Sequence, residues 1–142
     1  GGEVVMLAPE GTIPRGPAFF NPELKGRWGA AKLAADTRVP VIPVGLWGTE
    51  LVWPRSSKLP QLSPFHQPAV TATVGAPVDL KYRSADTDTA RIMTAISALL
   101  PPKAREPYEP TTEELMATFP PGYCGDPTAE AERRPGTDTA AH

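Results

Sequence analysis

Apolar residues fall along this chain in short bursts separated by proline-rich stretches. The run Val4-Val5-Met6-Leu7-Ala8 is closed by Pro9 and Gly11 and predicts a buried strand emptying into a loop. Residues 9–25 hold four prolines and no period, which predicts a long loop of the kind that carries function in compact domains. A helical period then runs from Gly26 to Asp36, with Trp28, Ala31 and Ala35 on one face and Lys32 and Asp36 on another. Val39-Pro40 stops it, because a residue before proline avoids the α region. The run Val41-Ile42-Pro43-Val44-Gly45-Leu46 predicts a second buried strand, in which Pro43 marks an edge or a bulge. Loop-like sequence follows to about Gln67. Residues 69–74 alternate as a third strand, with Val70, Ala72 and Val74 on one side and Thr71 and Thr73 on the other. From Asp86 to Leu100 an amphipathic helix is expected, its apolar stripe supplied mostly by Ala90, Met93, Ile96, Ala98 and Leu100. Asp86 or Asp88 is its expected N-cap and Pro101-Pro102 its stop. Residues 113–118 suggest a brief helical turn.

Strand, loop, helix and strand in that order suggest a parallel crossover, and the third strand suits either direction. The expected class is α/β, a mixed sheet flanked by helices, followed by a Pro-rich irregular tail. Three strands and two helices do not hide the edges of such a sheet. Gly1-Gly2-Glu3 leads directly into the apolar run, so the sequence reads as cut from a longer protein.

Composition refines this picture. With 142 residues, 40% hydrophobic and 21% charged, the chain suits one globular domain with a modest core. Residues 1–100 carry a net charge of +2 and residues 101–142 a net of −4, so no strongly basic face favours nucleic acid. The tail holds eight of the 19 prolines and few aliphatics, which predicts a flexible, acidic segment over 101–142. Cys124 is the single cysteine, so no intrachain disulfide forms, and it reads as an inert tail thiol. No apolar stretch approaches the roughly 20 residues of a spanning helix, so any membrane contact made by this sequence is expected to be peripheral.

The clearest chemistry lies after the first apolar run. Ala8-Pro9-Glu10-Gly11-Thr12 is followed by Arg15, Lys25 and Arg27, then by Gly29-Ala30-Ala31-Lys32-Leu33-Ala34. Gly11 lets backbone approach a ligand, Thr12 offers a hydroxyl, and the cations supply charge-assisted bonds to a phosphate. A helix N-terminus near Gly26 adds its positive dipole end. The same residues also suit a tight turn with solvated cations beyond it.

These blocks resemble the phospholipid/glycerol acyltransferase family, which includes 1-acylglycerol-3-phosphate acyltransferases. The family's Pro-Glu-Gly-Thr-Arg block is similar to Pro9-Glu10-Gly11-Thr12, and its Lys-x-Gly-Ala-x-x-Leu-Ala helix to the stretch from Arg27 to Ala34. Its Val-Pro-Val-Ile-Pro-Val strand matches Val39-Pro40-Val41-Ile42-Pro43-Val44, and its Gly-x-Pro-hydrophobic-Asp segment looks like Gly75-Ala76-Pro77-Val78-Asp79. The tail from Phe119-Pro120-Pro121-Gly122-Tyr123 through Asp138 looks like that of actinobacterial members. The resemblance spans residues 4–80 in order. It implies that residues 1–100 are the C-terminal part of an acyltransferase domain. It also implies transfer of an acyl group from acyl-CoA or acyl carrier protein to a lysophospholipid acceptor, peripherally on the cytoplasmic face of the cell membrane. No cofactor or metal is implied. Glu10, Gly11, Thr12, Arg15 and Arg27 are the implied binding residues for the acceptor phosphate.

Two departures stand out. The family's Arg after Glu-Gly-Thr is Ile13 here, and Arg15 is expected to reach the same place through a tight turn at Pro14 and Gly16. The family's catalytic His-x-x-x-x-Asp is missing: Thr71 stands where His66 would need Asp, and the sequence stops at His142. That block is expected upstream of Gly1, so this sequence contains no catalytic residue of its own. A non-catalytic anion- or lipid-binding module is the alternative. His66 reads as a loop histidine, Asp79 as a residue orienting a loop, and Trp28, Trp47 and Trp53 as core or acyl-pocket walls, core first.

Overall fold

The computed structural model describes residues 2–60 and 68–128. His66, the end of the loop at 61–67 and the tail from 129, including Arg133-Arg134-Pro135, lie outside the described residues. The elements are α1 (Gly29–Thr37), β1 (Val44–Trp47), α2 (Thr49–Val52), β2 (Thr71–Val74), α3 (Ala85–Leu99) and α4 (Thr112–Ala117). Two 3-10 helices, Gly16–Phe20 and Pro102–Arg105, complete them. The result is a mixed α/β architecture in which helices flank a small antiparallel sheet.

Among the described residues the sheet is β1 paired with β2 alone, in the register Val44↔Val74, Gly45↔Thr73, Leu46↔Ala72 and Trp47↔Thr71. The expected strand at 4–8 joins no ladder, and the parallel crossover built on it is absent. Val4 is 94% and Met6 90% exposed, since an apolar run without a ladder partner gains neither hydrogen bonds nor burial. The second strand starts later than expected because Pro43 has no N–H to donate, although its carbonyl still accepts from Gly75 at 2.9 Å. Cross-strand partners project to one side, so Val44, Leu46, Ala72 and Val74 share a face that is exposed along its length. On the other side Gly45 is buried against Leu99 at the end of α3 and Leu100 just beyond it.

The core is formed where α1 meets α3. Ala31 and Ala34 pack with Ile92 and Leu80, and Ala30, Val41, Val78, Tyr82 and Ile96 surround them. Small residues on α1 let the two helices approach closely. The buried face of α3 differs from the expected stripe: Asp88, Thr89, Ile92 and Met93 are buried, whereas Ala90 and Ala98 are exposed. Asp88 decides the rotation. Its carboxylate accepts from the Lys81 and Tyr82 amides at 2.9 and 2.6 Å, and Arg91 Nε lies 3.9 Å away. The N-cap is Ser84, whose hydroxyl accepts from the Thr87 amide, in place of Asp86 or Asp88. Asp79, exposed, pairs with Lys81, and that bond holds its carboxyl below the usual range.

None of the three tryptophans is buried. Trp28 and Trp47 are half-buried and Trp53 is exposed, because the Trp28 and Trp53 indole N–H groups take partners near solvent. Over 111–123 the Pro-rich segment packs on the N-terminal loop. Thr111 and Glu114 form a capping box for α4, Phe119 is fully buried, and its ring stacks on Tyr123 at 4.0 Å. Among the described residues no helix is long and apolar enough to cross a membrane.

Candidate functional site

The candidate loop begins with a turn. The Gly11 amide donates to the Ala8 carbonyl at 3.0 Å, and Gly11 takes the left-handed backbone conformation, φ +70°. A side chain is disfavoured there twice over. The backbone angle suits glycine, and a Cβ would lie 2.7 Å from Arg27 Cδ and 2.9 Å from its Nε. Arg27 lies across this turn. Its amide donates to the Pro9 carbonyl at 2.8 Å and its Nε to the Glu10 carbonyl at 3.3 Å. Glu10, Gly11 and Arg27 are therefore brought together, the first two by the turn and the third from the far end of the loop.

Arg27 is held from behind. Gly26 sits against α3 so closely that a Cβ would come within 2.7 Å of the Met93 side chain. The Trp28 indole donates to Asp86 Oδ1 at 2.6 Å, and Lys32 Nζ lies 4.9 Å from the Trp28 ring centroid. The helix expected from Gly26 starts at Gly29 instead, with Trp28 as its N-cap and no side chain capping its amides. Its positive dipole end therefore opens beside Arg27.

Thr12, half-buried, and Arg15 lie further along the same loop. The tight turn expected at Pro14 and Gly16 is not formed. Arg15 is extended, with φ −132° and ψ 164°, and the Gly16 amide donates to Thr118 Oγ1 at 2.7 Å in a buried bond. That bond draws the chain toward α4 rather than back toward Thr12. Beyond it the Phe20 ring meets Tyr108 at 5.7 Å between centroids, and Tyr108 Oη donates to Glu114 Oε1 at 2.7 Å. The bond pushes the phenol up from its ordinary value and, with the Thr111 amide, holds the Glu114 carboxyl down.

Two residues of this neighbourhood escaped the sequence reading. Arg55 reaches the loop from the segment after α2, its Nη1 at 3.5 Å from the Ile13 carbonyl. Thr118 anchors Gly16 from 102 residues away. Neither carries a local signal: Arg55 lies in aperiodic sequence, and Thr118 is a helix-end threonine like many others. An open groove of about 550 Å3 runs between Ser56 and α4, lined also by Met116, Pro121 and Tyr123, and none of the five expected site residues lines it. Among the described residues no group of three or more His, Cys, Asp or Glu is placed to hold a metal ion.

No protein-family model, curated protein or solved structure matches this chain. Its chemistry therefore rests on its own donors. The Arg27 guanidinium across the Gly11 turn and the N-terminus of α1 that follows it suit a compact anion with several acceptor oxygens.

Proposed function

We propose that this chain carries the acceptor phosphate-binding part of a glycerolipid acyltransferase, acting peripherally on the cytoplasmic face of the cell membrane. In this reading Glu10 and Gly11 shape the turn, while Thr12, Arg15 and Arg27 take the phosphate of a lysophospholipid such as 1-acylglycerol 3-phosphate. The acyl donor is acyl-CoA or acyl carrier protein. The observation that carries the reading is the seating of Arg27 across Gly11, which joins the Glu-Gly-Thr block to the start of the Gly-Ala-x-x-Leu-Ala helix. Two blocks that resemble the family's only as ordered sequence are in physical contact, with glycine where an arginine needs the room.

His66 has Thr71 where a His-x-x-x-x-Asp pair needs Asp. A non-catalytic anion- or lipid-binding module is the second reading. The test is titration of the chain with lysophosphatidate and with uncharged monoacylglycerol. It is joined by acyl transfer from labelled acyl-CoA, with and without whatever coding sequence lies upstream in frame. Preferential binding of lysophosphatidate that Arg27→Ala weakens about tenfold supports the phosphate site. Turnover that needs an upstream His-x-x-x-x-Asp supports the enzyme. Phosphate-dependent binding without any such block leaves the module. Equal binding of both lipids defeats the phosphate site and leaves only a lipid-binding module.

A further inference from the structure

Two features of this fold are complementary. One is the apolar run Val4–Leu7, in which every residue is at least half exposed and none belongs to a ladder. The other is the outer edge of β1, because β1 is paired on one side only, with β2. We infer that the run of one copy of this chain adds as a strand to the β1 edge of a second copy, and that the exchange is reciprocal, closing a two-fold dimer. The dimer does not depend on the phosphate reading above.

The edge is open by geometry. The Pro43 carbonyl accepts from the Gly75 amide, so in this antiparallel pair Pro43, Gly45 and Trp47 turn their backbone groups toward β2. Val44 and Leu46 therefore turn their N–H and C=O groups outward. Exposed edges are ordinarily blunted by charges or prolines. Here Val41 to Trp47 carry no charge, and the N–H that Pro43 lacks would have faced β2 rather than the outer edge. The run suits that place. Val4, Val5, Met6 and Leu7 are apolar at both parities, as in a strand buried on both faces. One face of β1 is already backed by helices: Gly45 lies against Leu99, and Val41 packs on the α1–α3 core. The run of the same chain leaves a turn fixed by the Gly11 amide on the Ala8 carbonyl and the Arg27 amide on the Pro9 carbonyl, and from there it joins no ladder.

A second copy fits because every copy brings one run and one edge, which is what a closed, isologous contact needs. Neither surface is charged, so pairing like with like brings no like charges together. The four side chains of the run, with Ile42, Val44 and Leu46, expose roughly 800 Å2 per copy, about what each partner contributes to a standard interface. Main-chain hydrogen bonds along the added strand supply the rest of the affinity.

The test follows the full 142-residue chain by sedimentation and by amide hydrogen exchange from micromolar to submillimolar concentration. The mass is expected to rise from one chain to two, and exchange at Val44 and Leu46 to slow in step. Successive N–H groups of a strand point in opposite directions, so one of Val5→Pro and Met6→Pro removes a ladder donor from both copies. That variant is expected to weaken the dimer about tenfold or more, with the melting temperature of the dilute monomer unchanged. Leu46→Lys is expected to weaken it from the other side. A single chain at every concentration overturns the dimer. So does a dimer in which Val44 and Leu46 exchange freely, since it uses another surface. Slow exchange of these amides in the dilute monomer would place the chain's own run on β1 and exclude the second copy. Growth beyond two chains would show open addition instead of reciprocal exchange. Two proline variants that dimerise like the unaltered chain would remove the strand from the interface.

Discussion

Arg27 occupies the space that a Gly11 side chain would fill, with its Cδ 2.7 Å from the position of the missing Cβ. Gly11→Ala therefore meets two penalties. The left-handed backbone costs an alanine about 1–2 kcal/mol, and the Arg27 stem must move off the turn. The variant is expected to lose about that much stability in urea unfolding and to weaken lysophosphatidate binding as much as Arg27→Ala does. Combining the two changes is expected to add no further loss of affinity, because both remove the same contact. Additive losses would show that Gly11 meets the ligand independently of Arg27.

The Gly16–Thr118 bond makes a second prediction. Thr118→Val leaves the buried Gly16 amide without its acceptor, at a cost of about 1–3 kcal/mol. Thr118→Ser keeps the oxygen and is expected to cost less. Hydrogen exchange at Gly16 reads the difference: fast in the valine variant, protected in the serine variant. Protection that survives the valine change would mean that the amide has found another acceptor.

The α4 anchor is expected to respond to pH at both ends of the scale. The folded Glu114 carboxyl is held below its ordinary 4.5, chiefly by the Tyr108 hydroxyl and then by Thr111, so its stabilising contribution is present above 4.5. That contribution is lost as pH falls through the lower folded value. The Tyr108 phenol is raised above 10.0 by the same bond, so its contribution is present below 10.0 and lost as pH climbs past the raised value. Protection of the α4 amides, corrected for the intrinsic pH dependence of exchange, should therefore be high in the neutral range and fall in acid. Glu114→Gln should show faster exchange already at neutral pH, with less acid dependence. Identical profiles for the two proteins would remove Glu114 from the anchor.

Adjacent residues on α3 predict opposite signs. Asp88, buried, satisfies two backbone amides, and Asp88→Ala is expected to destabilise by about 2–3 kcal/mol by orphaning both. Thr89 Oγ1 is buried with no hydrogen-bond partner among the described residues. Thr89→Val replaces that hydroxyl with a methyl of similar shape and is expected to stabilise by about 1 kcal/mol. Thermal unfolding of the pair gives both signs directly. A destabilising Thr89→Val would mean that the hydroxyl has a partner after all.

The helices were the most legible part of the fold. Periodicity placed α1 and α3 within a few residues, and alternation placed β2, because these patterns follow from local geometry. Pairing did not follow. The run from Val4 to Ala8 has strand composition, but composition names no partner, and the antiparallel match of β1 to β2 depends on where residues 48–70 return the chain. The inward turn of Asp88 was invisible because a carboxylate ordinarily marks the solvent face, and only the amides of Lys81 and Tyr82 reverse that. At the candidate site Gly11 and Arg27 could be read as parts of one loop. Their contact, and the approach of Arg55 to Ile13, come from tertiary packing that no spacing encodes.

The dependence of the loop on α4 has a consequence for how the protein is made and lost. Closing Gly16 onto Thr118 spans most of the described chain, so this contact is slow to form and comes after the local helices. During synthesis α1 and α3 can dock while the loop at 9–25 still lacks its anchor, which lies C-terminal to both helices. A protease that nicks the exposed, proline-flanked stretch at 105–109 acts in the reverse direction. It is expected to spare the α1–α3 core and slacken the loop, so that a single cleavage disables the proposed phosphate site.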